Sequence, residues 1–109
     1  MVTIVGSSDL REKDLQRHVR AYAEQLGWAV YTCWTSLHSP RGWPDLTLWR
    51  ARPDGTGELV CVELKSARGR VSDAQQAWLE RLRLVPGVSW VGVIRPADWY
   101  AGVLDEVLR

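Results

Sequence analysis

Gly42-Trp43-Pro44-Asp45-Leu46-Thr47-Leu48-Trp49-Arg50 and Leu59-Val60-Cys61-Val62-Glu63-Leu64-Lys65 are two runs rich in residues that suit strands. Between them lies Pro53-Asp54-Gly55-Thr56-Gly57, a turn-forming cluster. The stretch reads as an antiparallel hairpin. Centred on Gly55, it sets position 45 opposite 65 and position 47 opposite 63. Side chains alternate between the faces of a strand. Leu46, Leu48, Val60, Val62 and Leu64 then share a core face. Asp45, Glu63 and Lys65 share the other with Trp49 and Cys61, so that face is half covered.

Two carboxylates and one ammonium on a half-covered face have two explanations. A salt-bridged cluster on a solvated sheet is common in hairpins. Alternatively, two carboxylates in a partly desolvated place repel, and one pKa rises unless a cation sits between them. Lys65 neutralises only one of the two charges. Hard carboxylate oxygens suit Mg²⁺ or Mn²⁺, and this balance favours a metal site.

Working outward, Met1–Ser8 reads as an N-terminal arm. Leu15, Val19, Tyr22 and Leu26 follow helical spacing, and Gly27 is a natural stop. Asp9-Leu10-Arg11-Glu12 has the form of a capping box in which Glu12 bonds back to the helix start. Trp28–Trp34 reads as the first strand. Thr35–Gly42 is a polar loop leading into the hairpin, and its position makes Ser36, His38 and Arg41 candidates for DNA or phosphate contact. Arginine grips phosphate oxygens bidentately. His38 is more simply a solvated loop histidine than a general base.

After Lys65, Ser66-Ala67-Arg68-Gly69-Arg70 is a basic connection that adds Arg68 and Arg70 as phosphate contacts. Ser72-Asp73-Ala74-Gln75 opens a second helix as a capping box, with Trp78, Leu79, Leu82 and Val85 facing inward and Pro86-Gly87 as its end. Val88–Ile94 is a continuous apolar strand of the fully buried type, and Ala97–Leu108 forms one last short helix. The order α-β-β-β-α-β-α implies an α/β fold with a mixed central sheet flanked by helices. The crossover strand should run parallel to a neighbour.

The whole chain sets further bounds. At 109 residues it forms one domain with a modest core. Fourteen basic and 13 acidic residues leave no global field to advertise nucleic acid. Local charge matters more, because Arg41, Arg50, Arg52, Lys65, Arg68 and Arg70 fall in or beside the hairpin. Seven tryptophans without any phenylalanine suit core or subunit contacts. Cys33 and Cys61 have no zinc-ligand spacing and read as buried thiols in a reducing compartment. With no signal peptide and no apolar run long enough to cross a bilayer, a cytoplasmic protein is expected.

Pro44-Asp45, a gap, then Glu63-Leu64-Lys65 resembles the PD-(D/E)XK signature of restriction-endonuclease-like nucleases. The wider order includes Glu12 and Gln16, Gly27-Trp28, Gly42-Trp43-Pro44-Asp45-Leu46, Ser72, Gln75, Trp78-Leu79 and Arg95-Pro96. That order resembles a stand-alone VRR-NUC domain from Glu12 to Leu108. Trp43 departs from the pattern, and Thr32–Arg41 matches it loosely.

The resemblance implies a restriction-endonuclease-like core and a Mg²⁺- or Mn²⁺-dependent DNA endonuclease whose products carry a 5′-phosphate. It implies Asp45, Glu63 and the carbonyl of Leu64 as metal ligands and Lys65 as the group that orients water. Glu12 would help hold the metal, an alternative to its capping role, with Gln16 in support. Gln75 would approach the site in addition to capping its helix. Branched, Holliday-junction-like DNA would be the substrate and a homodimer the acting form, in a repair setting or as a phage- or prophage-encoded enzyme.

Overall fold

The hairpin forms, but its turn shifts the register. The computed structural model describes residues 10–33 and 41–109, in which β2 (Leu46–Ala51) pairs antiparallel with β3 (Gly57–Leu64). Leu46 lies opposite Val62 and Leu48 opposite Val60. The centre is therefore Asp54, not Gly55. The Arg52 amide donates to the Thr56 carbonyl at 2.7 Å, leaving Pro53-Asp54-Gly55 as a three-residue loop. Gly55 takes the left-handed conformation that such loops need (φ +89°). Asp54 Oδ1 accepts from the Thr56 amide at 3.0 Å and its hydroxyl at 2.6 Å, locking the turn. In this register Asp45 comes opposite Glu63, and Lys65 lies one step beyond.

Ahead of the hairpin, α1 (Glu12–Gln25) buries Leu15, Val19 and Ala23. Its capping box does not form. The N-cap is Arg11 without a side-chain hydrogen bond, which puts Glu12 at the first helical position, unable to reach back as an acid at the third position does. At the other end, Gly27 (φ +91°) closes a Schellman motif, with Trp28 N–H donating to Ala23 O and Gly27 N–H to Glu24 O. The first strand, β1 (Ala29–Thr32), is shorter than expected and pairs antiparallel with β2. Trp34, the loop through Pro40 and the N-terminal arm lie outside the described residues.

The helix α2 (Asp73–Arg83) leads to β4 (Val88–Ile94), which runs parallel to β3 as expected, giving the sheet order β1-β2-β3-β4. Two corrections follow from that order. As an edge strand, β4 is only partly covered, with Ser89 exposed and Gly92 and Ile94 buried. Val85, beyond the last turn of α2, is 47% exposed instead of inward-facing. The C-terminal segment also departs from one helix. It forms α3 (Pro96–Tyr100) and α4 (Val103–Leu108), separated at Gly102, whose φ of +81° breaks the helical run.

The main core packs Leu15, Val19, Ala23, Leu104 and Leu108 from the helices against Leu46, Leu48, Val60, Val62, Leu64 and Ile94. Trp28 closes one end. Its indole N–H donates to Leu108 O at 3.0 Å, and the Arg50 guanidinium stacks 4.3 Å above the ring.

One close backbone approach fixes α2 to the segment that leads into Asp45. Gly42 has φ +90°, and a Cβ there would lie 2.5 Å from the Ala74 carbonyl carbon and oxygen. No side-chain rotation relieves a clash with backbone. Gly42→Ala should cost about 3 kcal/mol, combining left-handed strain with displacement of the first turn of α2. Urea unfolding would measure it; a variant within 0.5 kcal/mol of wild type would show that the segment yields freely.

Candidate active site

Asp45 stands just before β2, Glu63 sits near the end of β3, and Lys65 follows that strand. All three meet at one end of the hairpin. The Leu64 amide donates to Asp45 Oδ2 at 2.7 Å. Glu63 is 1% exposed. Its Oε2 accepts from Lys65 Nζ at 3.3 Å and from Gln75 Nε2 at 2.9 Å. Its Oε1 is buried and has no hydrogen-bond partner among the described residues. Lys65 is itself buried, with its stem against Gly69.

The electrostatics follow from burial and crowding. Burial, then the neighbouring charge of Asp45, pushes Glu63 up to about 8, against the opposing pull of Lys65. Burial likewise raises Asp45, opposed by the Leu64 amide, by the Glu63 carboxyl and by Lys65. Glu12 is raised by its own burial and by the charge of Asp45, so the start of α1 reaches the same neighbourhood. Because Oε2 already takes two donors, a proton retained by Glu63 belongs on Oε1.

A buried acceptor oxygen without a donor, beside a second carboxylate, is suited to a proton or a cation. Asp45 and Glu63 therefore fit a hard divalent ion. Among the described residues, no three carboxylate, histidine or cysteine side chains close on one point. The fit is thus to two carboxylates, with Glu12 outside the pair and other oxygens needed to complete a shell.

Gln75 has two functions through one amide. Its Oε1 accepts from the Ser72 amide at 2.8 Å while Ser72 Oγ accepts from the Gln75 amide at 3.1 Å, the capping box expected for α2. With the oxygen committed to the cap, Nε2 is directed at Glu63. Ser72→Ala should cost α2 about 1 kcal/mol and leave Glu63 held. Gln75→Met should cost a similar amount and also release Glu63 Oε2 from one donor. Phosphodiester cleavage, the activity that the resemblance implies, should fall about tenfold in Gln75→Met alone at a temperature where both variants are folded, as expected for loss of about 1.4 kcal/mol of positioning. Equal losses in both variants would reduce Gln75 to a helix cap.

The arginines separate into two groups. Arg50 and Arg52 both bind Glu58, at 3.0 and 3.2 Å, at the opposite end of the hairpin. Five residues of strand put Arg50 roughly 17 Å from Asp45, which removes both arginines from the site. Arg41, Arg68 and Arg70 are exposed on segments adjoining it. Ser36 and His38 lie outside the described residues. Sequence reasoning noted Arg95 only as part of a pattern. Its Nη1 donates to the carbonyls of Ser66 at 2.8 Å and Gly69 at 2.7 Å, gathering the loop after Lys65. An arginine at a strand end, with no acid nearby in sequence except Asp98, was the available signal.

The VRR-NUC domain model matches residues 10–89. A 50-residue stretch, 45% of the chain, is 44% identical to part of a Fanconi-associated nuclease 1 homolog of Arabidopsis thaliana. The match spans only 5% of that protein's length. A solved structure described as a VRR_NUC domain protein superposes with a TM-score of 0.64 at 19% identity, covering 88% of this chain and 86% of the other. That likeness supports a restriction-endonuclease-like α/β fold.

Proposed function

The chain belongs to the VRR-NUC family of DNA nucleases, and on that premise we propose that it is a Mg²⁺- or Mn²⁺-dependent endonuclease acting as a homodimer on branched DNA. The observation that carries the metal reading is Glu63 Oε1, buried without a donor beside Asp45 while Lys65 and Gln75 occupy the other oxygen. Asp45 and Glu63 would hold the cation, with the carbonyl of Leu64 as a third oxygen and Glu12 completing the shell or holding a second water. A bound divalent ion supplies Lewis acidity, lowering the pKa of water and offsetting charge on the scissile phosphate.

The chain's own groups do the rest. Gln75 fixes the rotamer of Glu63, and the Leu64 amide fixes that of Asp45. Lys65, already aligned by Glu63, orients the attacking water and stabilises charge that develops on the phosphoryl oxygens. Arg41, Arg68 and Arg70 contact flanking phosphates. The case for a homodimer rests on two exposed aromatic residues on neighbouring strands, Tyr31 (60%) and Trp49 (52%), which give one sheet face an apolar contact surface.

The test incubates purified protein with linear duplex, single strand, nicked duplex, flap and four-way junction, each with Mg²⁺, Mn²⁺ or EDTA. Junction cutting that requires the metal is the expected result, with a two-chain mass in sedimentation. Preferential cutting of flaps or nicks would replace the junction reading while keeping the chemistry. Binding without cutting in every condition would make the domain a non-catalytic DNA-binding module.

A further inference from the structure

Beside the catalytic carboxylates, α1 carries a groove of about 480 Å³ lined, among the described residues, by Glu12, Lys13, Gln16, Arg17 and Arg20. None of these cations belongs to the site already described. Positions 12, 16 and 20 recur at one-turn spacing, with 13 and 17 beside them, so the lining is a single stripe flanking the buried face of Leu15, Val19 and Ala23. It carries three cations and a neutral amide. The one acid among the described lining residues, Glu12, stands at the end near Asp45 and Lys65. The groove therefore begins where a scissile phosphate would sit and becomes basic as it leaves.

We propose that this groove is a track for the phosphodiester backbone of the substrate strand that leads away from the cleavage point. The inference rests on the nuclease reading and extends it to a binding surface. From residue 12 to 20 the helix rises about 12 Å, room for roughly three phosphates at the spacing of one DNA strand. Arg17 bonds Asp14, and Arg20 bonds Glu24 at 2.7 Å, but both arginine side chains are open to solvent, at 74% and 52%. Exposed pairs of this kind contribute little stability. A guanidinium has five donors, so it can keep its carboxylate and still engage a phosphate.

The experiment compares wild type, Lys13→Gln, the double variant Arg17→Gln/Arg20→Gln, and a control pair, Arg81→Gln/Arg83→Gln, on exposed positions in the last turn of α2. Binding of the preferred DNA is measured with Ca²⁺ across 50–200 mM salt (values of roughly the range over which phosphate contacts are resolved). Cleavage is measured with Mg²⁺. In the double variant, Kd should rise about tenfold and the slope of log Kd against log salt should become shallower by roughly 1.5. KM should rise while kcat stays within about twofold, since the reacting groups are untouched. Lys13→Gln should show about half the change in slope. Wild-type affinity and slope in the double variant would overturn the proposal, as would an equal loss in the control pair. Metal-dependent cutting by wild type with an unaffected double variant would sink this inference alone. A wild type that neither binds nor cuts DNA would remove the nuclease reading and this track with it.

Discussion

Glu63→Gln is expected to make the metal-free protein more stable at pH 8 and to abolish cleavage. In wild type the folded state holds the Glu63 proton up to about pH 8, whereas an unperturbed glutamate releases it near 4.5. Between those values the folded state binds more protons than the unfolded one, so stability falls as pH rises through that window. The sign is opposite to that of a salt-bridged carboxylate. Each unit of pKa difference corresponds to about 1.36 kcal/mol, and the opposing pull of Lys65 is already contained in the value of about 8, so the loss by pH 8 should be on the order of 4 kcal/mol. Glutamine cannot ionise and resembles the protonated acid in shape. Its melting temperature in EDTA should therefore stay nearly level from pH 5 to pH 8 while that of wild type declines. Adding Mg²⁺ should restore wild type at pH 8 and leave the variant unchanged. Parallel pH profiles for the two proteins would show that Glu63 is ionised and satisfied without a cation.

Removing the ammonium acts in the other direction. Lys65→Ala leaves Glu63 Oε2 with Gln75 as its remaining donor and removes the only cationic side chain within bonding distance of either carboxylate among the described residues. Turnover should fall about 10³-fold, the scale measured when one preorganised electrostatic group is deleted from an active site. Affinity for DNA with Ca²⁺ should change by less than threefold, because one buried charge adds little to a surface of phosphate contacts. Lys65→Arg should not rescue. The stem packs against Gly69 in a space where only 9% of the residue is exposed, and a planar guanidinium does not substitute for a point charge there. Single-turnover cleavage with saturating enzyme reads the effect directly. Retention of a tenth or more of wild-type turnover would move the proton- and charge-handling role elsewhere.

Much of this was legible before any coordinates. Alternation in Leu46–Leu48 and Val60–Leu64 placed the core face correctly, because a two-residue period leaves only two arrangements. Gly27 and the Ser72–Gln75 box marked helix ends through local backbone chemistry, which sequence carries in full. The turn centre was missed because Pro53-Asp54-Gly55-Thr56-Gly57 contains two glycines and an aspartate, each able to occupy several turn positions. The left-handed φ of Gly55 and the Asp54–Thr56 bonds decided between them. Val88–Ile94 looked like a central strand because apolar runs report burial without saying which side lacks a neighbour. Glu12 was ambiguous between cap and site for a similar reason: whether it caps depends on which residue is the N-cap, and Arg11 took that position. The loop clamp of Arg95 joins residues 26 to 29 positions apart, beyond any local pattern.

The amide of Gln75 joins two things usually treated apart, the closure of a helix and the aim of a candidate metal ligand. When the first turn of α2 frays far enough to carry Gln75 away, Glu63 loses that donor with it. Helix ends open far more often than whole domains unfold. Heat should therefore silence this protein before it melts it, and whatever steadies that single turn, including the close backbone approach that Gly42 permits, sets the temperature at which activity is lost.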